Sequence, residues 1–251
     1  MSVTVVLLVL AAVFVGAATQ RITGMGFALV AGPFLVLLLD PVPGVVLVNL
    51  CSVVSAALVL TRVWRQVRWK RVAVLLAGSL VGILPGAWLA VSMGSDALYV
   101  LVGGLIVLGI ASSLLGSRFA APVVPRPWKS GTAGVVSGFM SGAAGVGGPA
   151  LSVYAIMTRW EQRSFAATAQ GYFLANAACA VIAKVALDPA RALPHLTWQV
   201  WVAILVAMLV GLAAGDGLSR RVPLGAARAG MIALAFAGGA FTLVKGVTGL
   251  L

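Results

Sequence analysis

Two glycine clusters in an otherwise apolar chain are the residues best placed to do chemistry, and that chemistry is anion binding by backbone amides. Phe14 to Phe27 reads FVGAATQRITGMGF, and Val136 to Gly148 reads VSGFMSGAAGVGG, followed by Pro149. Glycine lets a helix stop and the backbone turn. The N–H groups at the start of the next helix then face the break, where the helix dipole favours negative charge. Proline suits the first turn of that next helix, which fits Gly148-Pro149. Taken singly, such clusters only let helices kink or pack closely. Occurring twice, each at the start of one half of the chain, they read as a substrate site formed by Thr23, Gly24, Gly26, Gly145, Gly147, Gly148 and Pro149.

Few other polar residues are available to serve such a site. Asn49, Ser52, Ser55, Thr168 and Asn176 fall inside apolar runs. Neutral amides and hydroxyls can donate to an anion without trapping it, or can bond helix to helix. Arg21 stands beside the first break, either to attract an anion or to anchor the chain at the membrane surface. Asp216, between Gly215 and Gly217, would serve proton coupling or pair with a nearby arginine. Lys184 and Lys245 are expected to run their stems along apolar surface towards water. The spacings Gly78/Gly82/Gly86, Gly211/Gly215 and Ser137/Ser141 read as helix-packing faces.

Composition sets the medium in which these residues work. The 251 residues are 62% hydrophobic and 9% charged, with mean hydropathy +1.13. A soluble domain carries roughly a quarter charged residues, so this surface needs a solvent that tolerates apolar groups. The net charge of +12 sits mainly in short connections, as the positive-inside rule requires; no nucleic-acid partner is expected. Cys51 and Cys179 lie in apolar runs and read as small core residues. With one histidine and five acidic residues, mostly in loops, neither a metal site nor an acid–base pair is visible, and no cofactor is expected.

Apolar runs recur from Val3–Ala18 to Leu224–Leu251, each near the roughly 20 residues a spanning helix needs, except short ones at Phe27–Leu39 and Ala150–Met157. Val3 to Leu39 as one helix would be about 55 Å long at ~1.5 Å per residue. A break at Thr23–Gly26 resolves that excess. The absence of a basic stretch before the first run argues against a cleaved signal peptide. Trp64, Trp69, Trp128, Trp160, Trp198 and Trp201 cluster at run ends, as an interfacial belt does.

The chain also repeats itself. Leu80-Val81-Gly82…Gly86 returns as Leu209-Val210-Gly211…Gly215, and Trp69 as Trp198, both 129 residues on; Asn49 returns as Asn176, 127 on. These landmarks divide one membrane domain, 1–251, into halves of about 1–116 and 129–251, joined by a linker of about 117–128. Arg62, Arg65, Arg68, Lys70 and Arg71 place their loop in the cytoplasm. Counting crossings from there puts Asp40 and Asp96 outside; Arg118, Arg126, Lys129, Arg159, Arg163, Arg220 and Arg221 inside; and Asp188, Arg191 and His195 outside, where Arg191 is the exception to the rule. Equivalent loops thus fall on opposite sides, the pattern of inverted repeats. The expected fold is an all-α transmembrane bundle. Each half has a glycine-broken re-entrant or hairpin segment followed by three spanning helices.

With these features in order, the chain resembles the TauE/SafE family of sulfite exporters. The resemblance rests on Gly24-x-Gly26 and Gly145-x-Gly147-Gly148-Pro149, and on Ala166-Ala167-Thr168 ahead of the helix with Asn176. It rests also on Arg68-Trp69 ahead of Gly78…Gly82…Gly86, and covers essentially the whole chain. The stretch GVVLVNLCS after Pro43 departs from the family's usual Ala-x-x-Thr-like element. The resemblance implies transport of sulfite, thiosulfate, sulfoacetate or related anions across the cytoplasmic membrane. The expected function is therefore secondary transport of small anions by alternating access at the broken helices, with H+ or another coupling ion and the lipid bilayer as partners. A passive anion channel is the alternative; a membrane-embedded enzyme lacks a visible constellation, and no phosphate-binding loop for ATP is present.

Overall fold

A computed structural model describes residues 2–24, 26–119, 124 and 127–251, with side chains omitted for 116–119. Arg118 and Arg126 therefore lie outside the described side chains, as does most of the linker expected at 117–128. The described residues form helices α1 (Val3–Thr23), α2 (Phe27–Leu39), α3 (Pro41–Val63), α4 (Trp69–Ser92), α5 (Ser95–Phe119), α6 (Pro127–Ala144), α7 (Gly148–Met157), α8 (Gln162–Leu187), the single turn α9 (Pro189–Ala192), α10 (Trp198–Ser219) and α11 (Leu224–Leu250). No strand occurs among them. Seven helices (α1, α3, α4, α5, α8, α10 and α11) are long and apolar enough to cross a membrane. In lipid every backbone polar group must be satisfied internally, which is why such a chain is all helix.

The two short helices fall where glycines stop their predecessors. Gly24 (φ +79°) caps α1 in the left-handed conformation and its N–H donates to Gln20 O at 2.8 Å. Gly145 (φ +73°) plays the same part after α6, donating to Ser141 O at 3.0 Å. Gly26 (φ +141°) then starts α2, and Gly148 with Pro149 starts α7. The break expected near Thr23–Gly26 is present. It closes a helix, α1, that is by itself long enough to span.

Glycine registers bring the long helices together. A Cβ on Gly78, Gly82 or Gly86 of α4 would strike the backbone of Gly131, Val135 or Phe139 of α6. Gly134, Gly138 and Gly142 of α6 would do the same against Leu75, Ser79 and Ile83. The partners ascend together, so α4 and α6 run parallel in backbone contact, as small residues allow. Likewise Gly211 of α10 meets Phe14 and Ala17 of α1, and Gly215 meets Ala18 and Arg21. Helices α5 and α11 instead run antiparallel, Gly103 on Leu243 and Gly246 on Val100. Helices α3 and α8 pack together at the centre.

Two expectations about individual residues need correcting, and a third gains a local contact. Lys184 does not reach for water: it is fully buried, because its stem runs into the α3/α4/α6 side of α8. Ser137 and Ser141 are not a packing face. The glycines one position along take that role, which turns the serines towards the broken-helix region. Arg191, expected as the exception to the charge rule, donates from its guanidinium Nη1 to Val91 O at 2.9 Å, capping the end of α4. Trp64, Trp69, Trp128 and Trp198 stay exposed at helix ends.

Because α4 and α6 touch through backbone, they leave no room for a larger residue. Gly82→Val is expected to cost roughly 1–3 kcal/mol or more by overpacking, seen as a lower melting temperature in detergent. The same change at Gly104, which has open space around it, should leave the melting temperature nearly unchanged.

Candidate functional site

Where α2 and α7 begin, they enclose a cavity of about 40 Å³. One water needs about 10–15 Å³ by this measure, so the space holds about three water-sized groups, the scale of a small oxyanion. Its wall is backbone at both breaks, Gly26 to Leu29 and Gly145 to Gly148, together with Gln20, Asn49, Ser52, Ser141 and Asn176. Phe173 and Ala177 complete it. First-turn amides of a helix have no acceptor within it, so the residues that start α2 and α7 bring N–H groups without helical partners to this space. Among the described residues no charged side chain lines it.

The side chains around the cavity form one network. Asn176 Nδ2 donates to Ser141 Oγ at 2.8 Å, while its Oδ1 accepts from Ser79 Oγ and from Tyr172 OH. Asn49 Nδ2 donates to Ser141 O at 3.3 Å, and Ser141 Oγ donates back to Asn49 Oδ1 at 3.4 Å. Ser141 thus joins the two asparagines, one from α3 and one from α8. Ser137 Oγ donates to Gly147 O at 2.7 Å and fixes the second break. At the first break Gln170 Nε2 donates to Gly24 O at 2.9 Å, and Gln20 Nε2 donates to Gln170 Oε1 at 3.3 Å. Buried polar groups of this kind hold one geometry only when all are satisfied.

The expected site residues divide into three groups. Gly26, Asn49, Ser52, Gly145, Gly147, Gly148 and Asn176 meet at the cavity, with Gly24 held just behind it by Gln170. Thr23 and Pro149 line a neighbouring apolar space of about 410 Å³ between α5, α7 and α11, which Arg159 and Arg228 also border. Thr168 lies elsewhere: its hydroxyl donates to Ser164 O at 2.7 Å and accepts from the Arg68 N–H at 3.2 Å. Ser55 is fully buried, with its hydroxyl unpaired.

Arg21 and Asp216 form a separate cluster. Arg21 Nε donates to Asp216 Oδ1, and Arg62 Nη1 donates to Asp216 Oδ2 at 2.8 Å. One carboxylate therefore ties the ends of α1, α3 and α10 together. Sequence reasoning missed Gln20, Gln170 and Ser141. One signal could have found two of them: Gln20 and Ser141 are 121 residues apart, as are Gly24 and Gly145, and Gly26 and Gly147.

A small neutral cavity lined with amide donors, inside helices of membrane length, suits holding a solute on its way through. Among the described residues there is no group of three His, Cys, Asp or Glu to hold a metal. The class these features define is the multi-pass membrane transporter. The chain belongs to the TauE/SafE family: the family model described as sulfite exporter TauE/SafE matches residues 8–242. No curated protein and no solved structure matches the chain.

Two substitutions separate the buried network from the surface cluster. Asn176→Leu leaves the buried hydroxyls of Ser79, Ser141 and Tyr172 short of a partner and is expected to cost about 1–3 kcal/mol. Asp216→Asn, at a carboxylate with 34% of its side chain exposed, should cost less than about 1 kcal/mol. Thermal unfolding in detergent reads both.

Proposed function

We propose that this protein is a secondary transporter of small sulfur-containing anions, sulfite, thiosulfate or an organosulfonate, working by alternating access across the cytoplasmic membrane. The observation that carries the reading is the cavity where α2 and α7 both begin, lined by the residues that start both helices and by two asparagines. Family membership supplies the sulfur chemistry. Amide and hydroxyl donors suit a tetrahedral or pyramidal oxyanion that must be released again. Thr23, Pro149 and Thr168 belong to the elements that would move around it rather than to its wall.

The halves 1–116 and 129–251 fit an inverted repeat. Helix α4 runs parallel to α6, and α10 runs parallel to α1, which is the exchange a two-fold axis in the membrane plane would give. A space that holds only a few water-sized groups favours a transporter over an open channel.

Purified protein in liposomes tests the reading, with sulfite, thiosulfate, sulfoacetate, taurine, sulfate and acetate offered under an imposed pH gradient. Saturable flux of one sulfur anion is expected; no flux of any would overturn the assignment. Asn49→Asp, nearly the same size, puts a negative charge on the cavity wall. It should raise the half-saturation concentration about tenfold or more, since like charges meeting across a poorly hydrated gap repel strongly.

A further inference from the structure

Lys184 is the charged group whose position calls for a function. It lies in the last turn of α8, 0% exposed, on the helix whose Ala180 and Ala183 pack against Ile83 and Ala87 of α4. Its Nζ donates to Ser141 O at 3.4 Å. Among the described residues no carboxylate pairs with it, since the ion pairs found there are those of Asp216. A buried ammonium with one long carbonyl contact is costly. Yet the carbonyl it reaches is the one that also accepts from Asn49 Nδ2 at 3.3 Å, and both Asn49 and Ser141 line the cavity.

We infer that Lys184 is the proton-binding residue of the transport cycle, positioned behind Ser141 so that its ammonium balances the charge of the anion in the cavity. The inference rests on the transporter reading given above. In the empty state the amine is neutral and donates a hydrogen bond to Ser141 O. When an anion arrives, the amine takes up one proton and its positive charge acts on the anion across the Ser141–Asn49 wall. One proton enters with each anion and leaves with it. Lys184 is thus a positioning and coupling residue, with Asn49, Ser141 and the helix-start amides making the direct contacts.

The surroundings isolate this titration. On α8 itself the other titratable groups are Arg163 in the first turn, at the opposite end from Lys184, Tyr172, whose hydroxyl donates to Asn176, and Cys179. Helix α3 brings Cys51, and Arg62 at its far end bound to Asp216. Arg65, Lys70, Arg71 and Lys129 stand where the 3-10 turn after α3 (Trp64–Gln66), α4 and α6 begin. Those beginnings of α4 and α6 pack near the start of α8, with Phe165 and Tyr172. At α9, Asp188 accepts from the Arg191 N–H and the Arg191 guanidinium is spent on Val91 O.

The test uses proteoliposomes, labelled thiosulfate (fully ionised across the neutral range) and a pH dye inside the vesicles. For the wild type, the half-saturation concentration should rise about tenfold per pH unit on the alkaline side, where the amine loses its proton, and one proton should move per anion. Lys184→Arg keeps a permanent charge; it should retain saturable flux but lose the pH slope and the proton movement. Lys184→Gln should lower flux at least tenfold, checked on protein that elutes from size exclusion as the wild type does. Should Lys184→Gln fail to fold, Lys184→Arg alone decides. A wild type with flux but no pH slope overturns the inference alone, as does either variant that keeps the wild-type slope and proton count. A wild type that moves none of thiosulfate, sulfite or sulfoacetate overturns the transporter reading, and this inference with it.

Discussion

Backbone polar groups cannot be left bare in a hydrocarbon solvent, and this chain breaks two helices inside its own bundle. The rest of the structure follows from containing those breaks. Gly24 and Gly145 return the chain through left-handed conformations that still satisfy their own N–H groups. Gln170 and Ser137 take up exposed carbonyls at Gly24 and Gly147. The residues that start α2 and α7 border a cavity within the bundle. The same physics that makes a broken helix expensive is what would suit it to the anion binding proposed above.

The breaks hold their positions because the long helices around them are not free to slide. Six glycines along α4 and α6 put the two backbones in direct contact over three turns, and α1 with α10 repeats the arrangement more loosely. Van der Waals contact is the main attraction available between apolar helices in lipid, so close approach substitutes for the hydrophobic effect that a soluble core would use. The polar network adds direction to this frame. Ser141, on the helix packed most closely of all, bridges an asparagine of α3 and one of α8.

Much of this is legible in the sequence, and the remainder is not for identifiable reasons. Composition and run length give the helical membrane bundle, since nothing else satisfies so apolar a chain. The glycine pairs announce the breaks, because glycine clusters between helical runs have few other uses. Asn49 and Asn176 stand out as amides in apolar runs. Lys184 does not: a lysine near a helix end ordinarily reaches for water, and only the packing of α8 against three neighbours shows that it cannot. Ser137 and Ser141 look like packing residues because they are small and four apart. Which stripe of α6 faces α4 depends on one residue of register, and the glycines at 134, 138 and 142 hold that stripe. Thr168 has the right chemistry in the wrong turn of its helix, committed to the backbone of Arg68.

The two half-helices are seated on helices distant in the chain. Pro33 of α2 rests against Gly238 of α11, and Pro149 of α7 rests against Gly109 of α5, each so closely that a methyl group on the glycine would collide. Each broken segment thus has its bed in the opposite part of the polypeptide. If the chain were severed in the linker, neither fragment would retain a complete cradle for its own half-helix. The two pieces would have to come together again, so the smallest unit that can complete both cradles is the pair of halves, covalently joined or not.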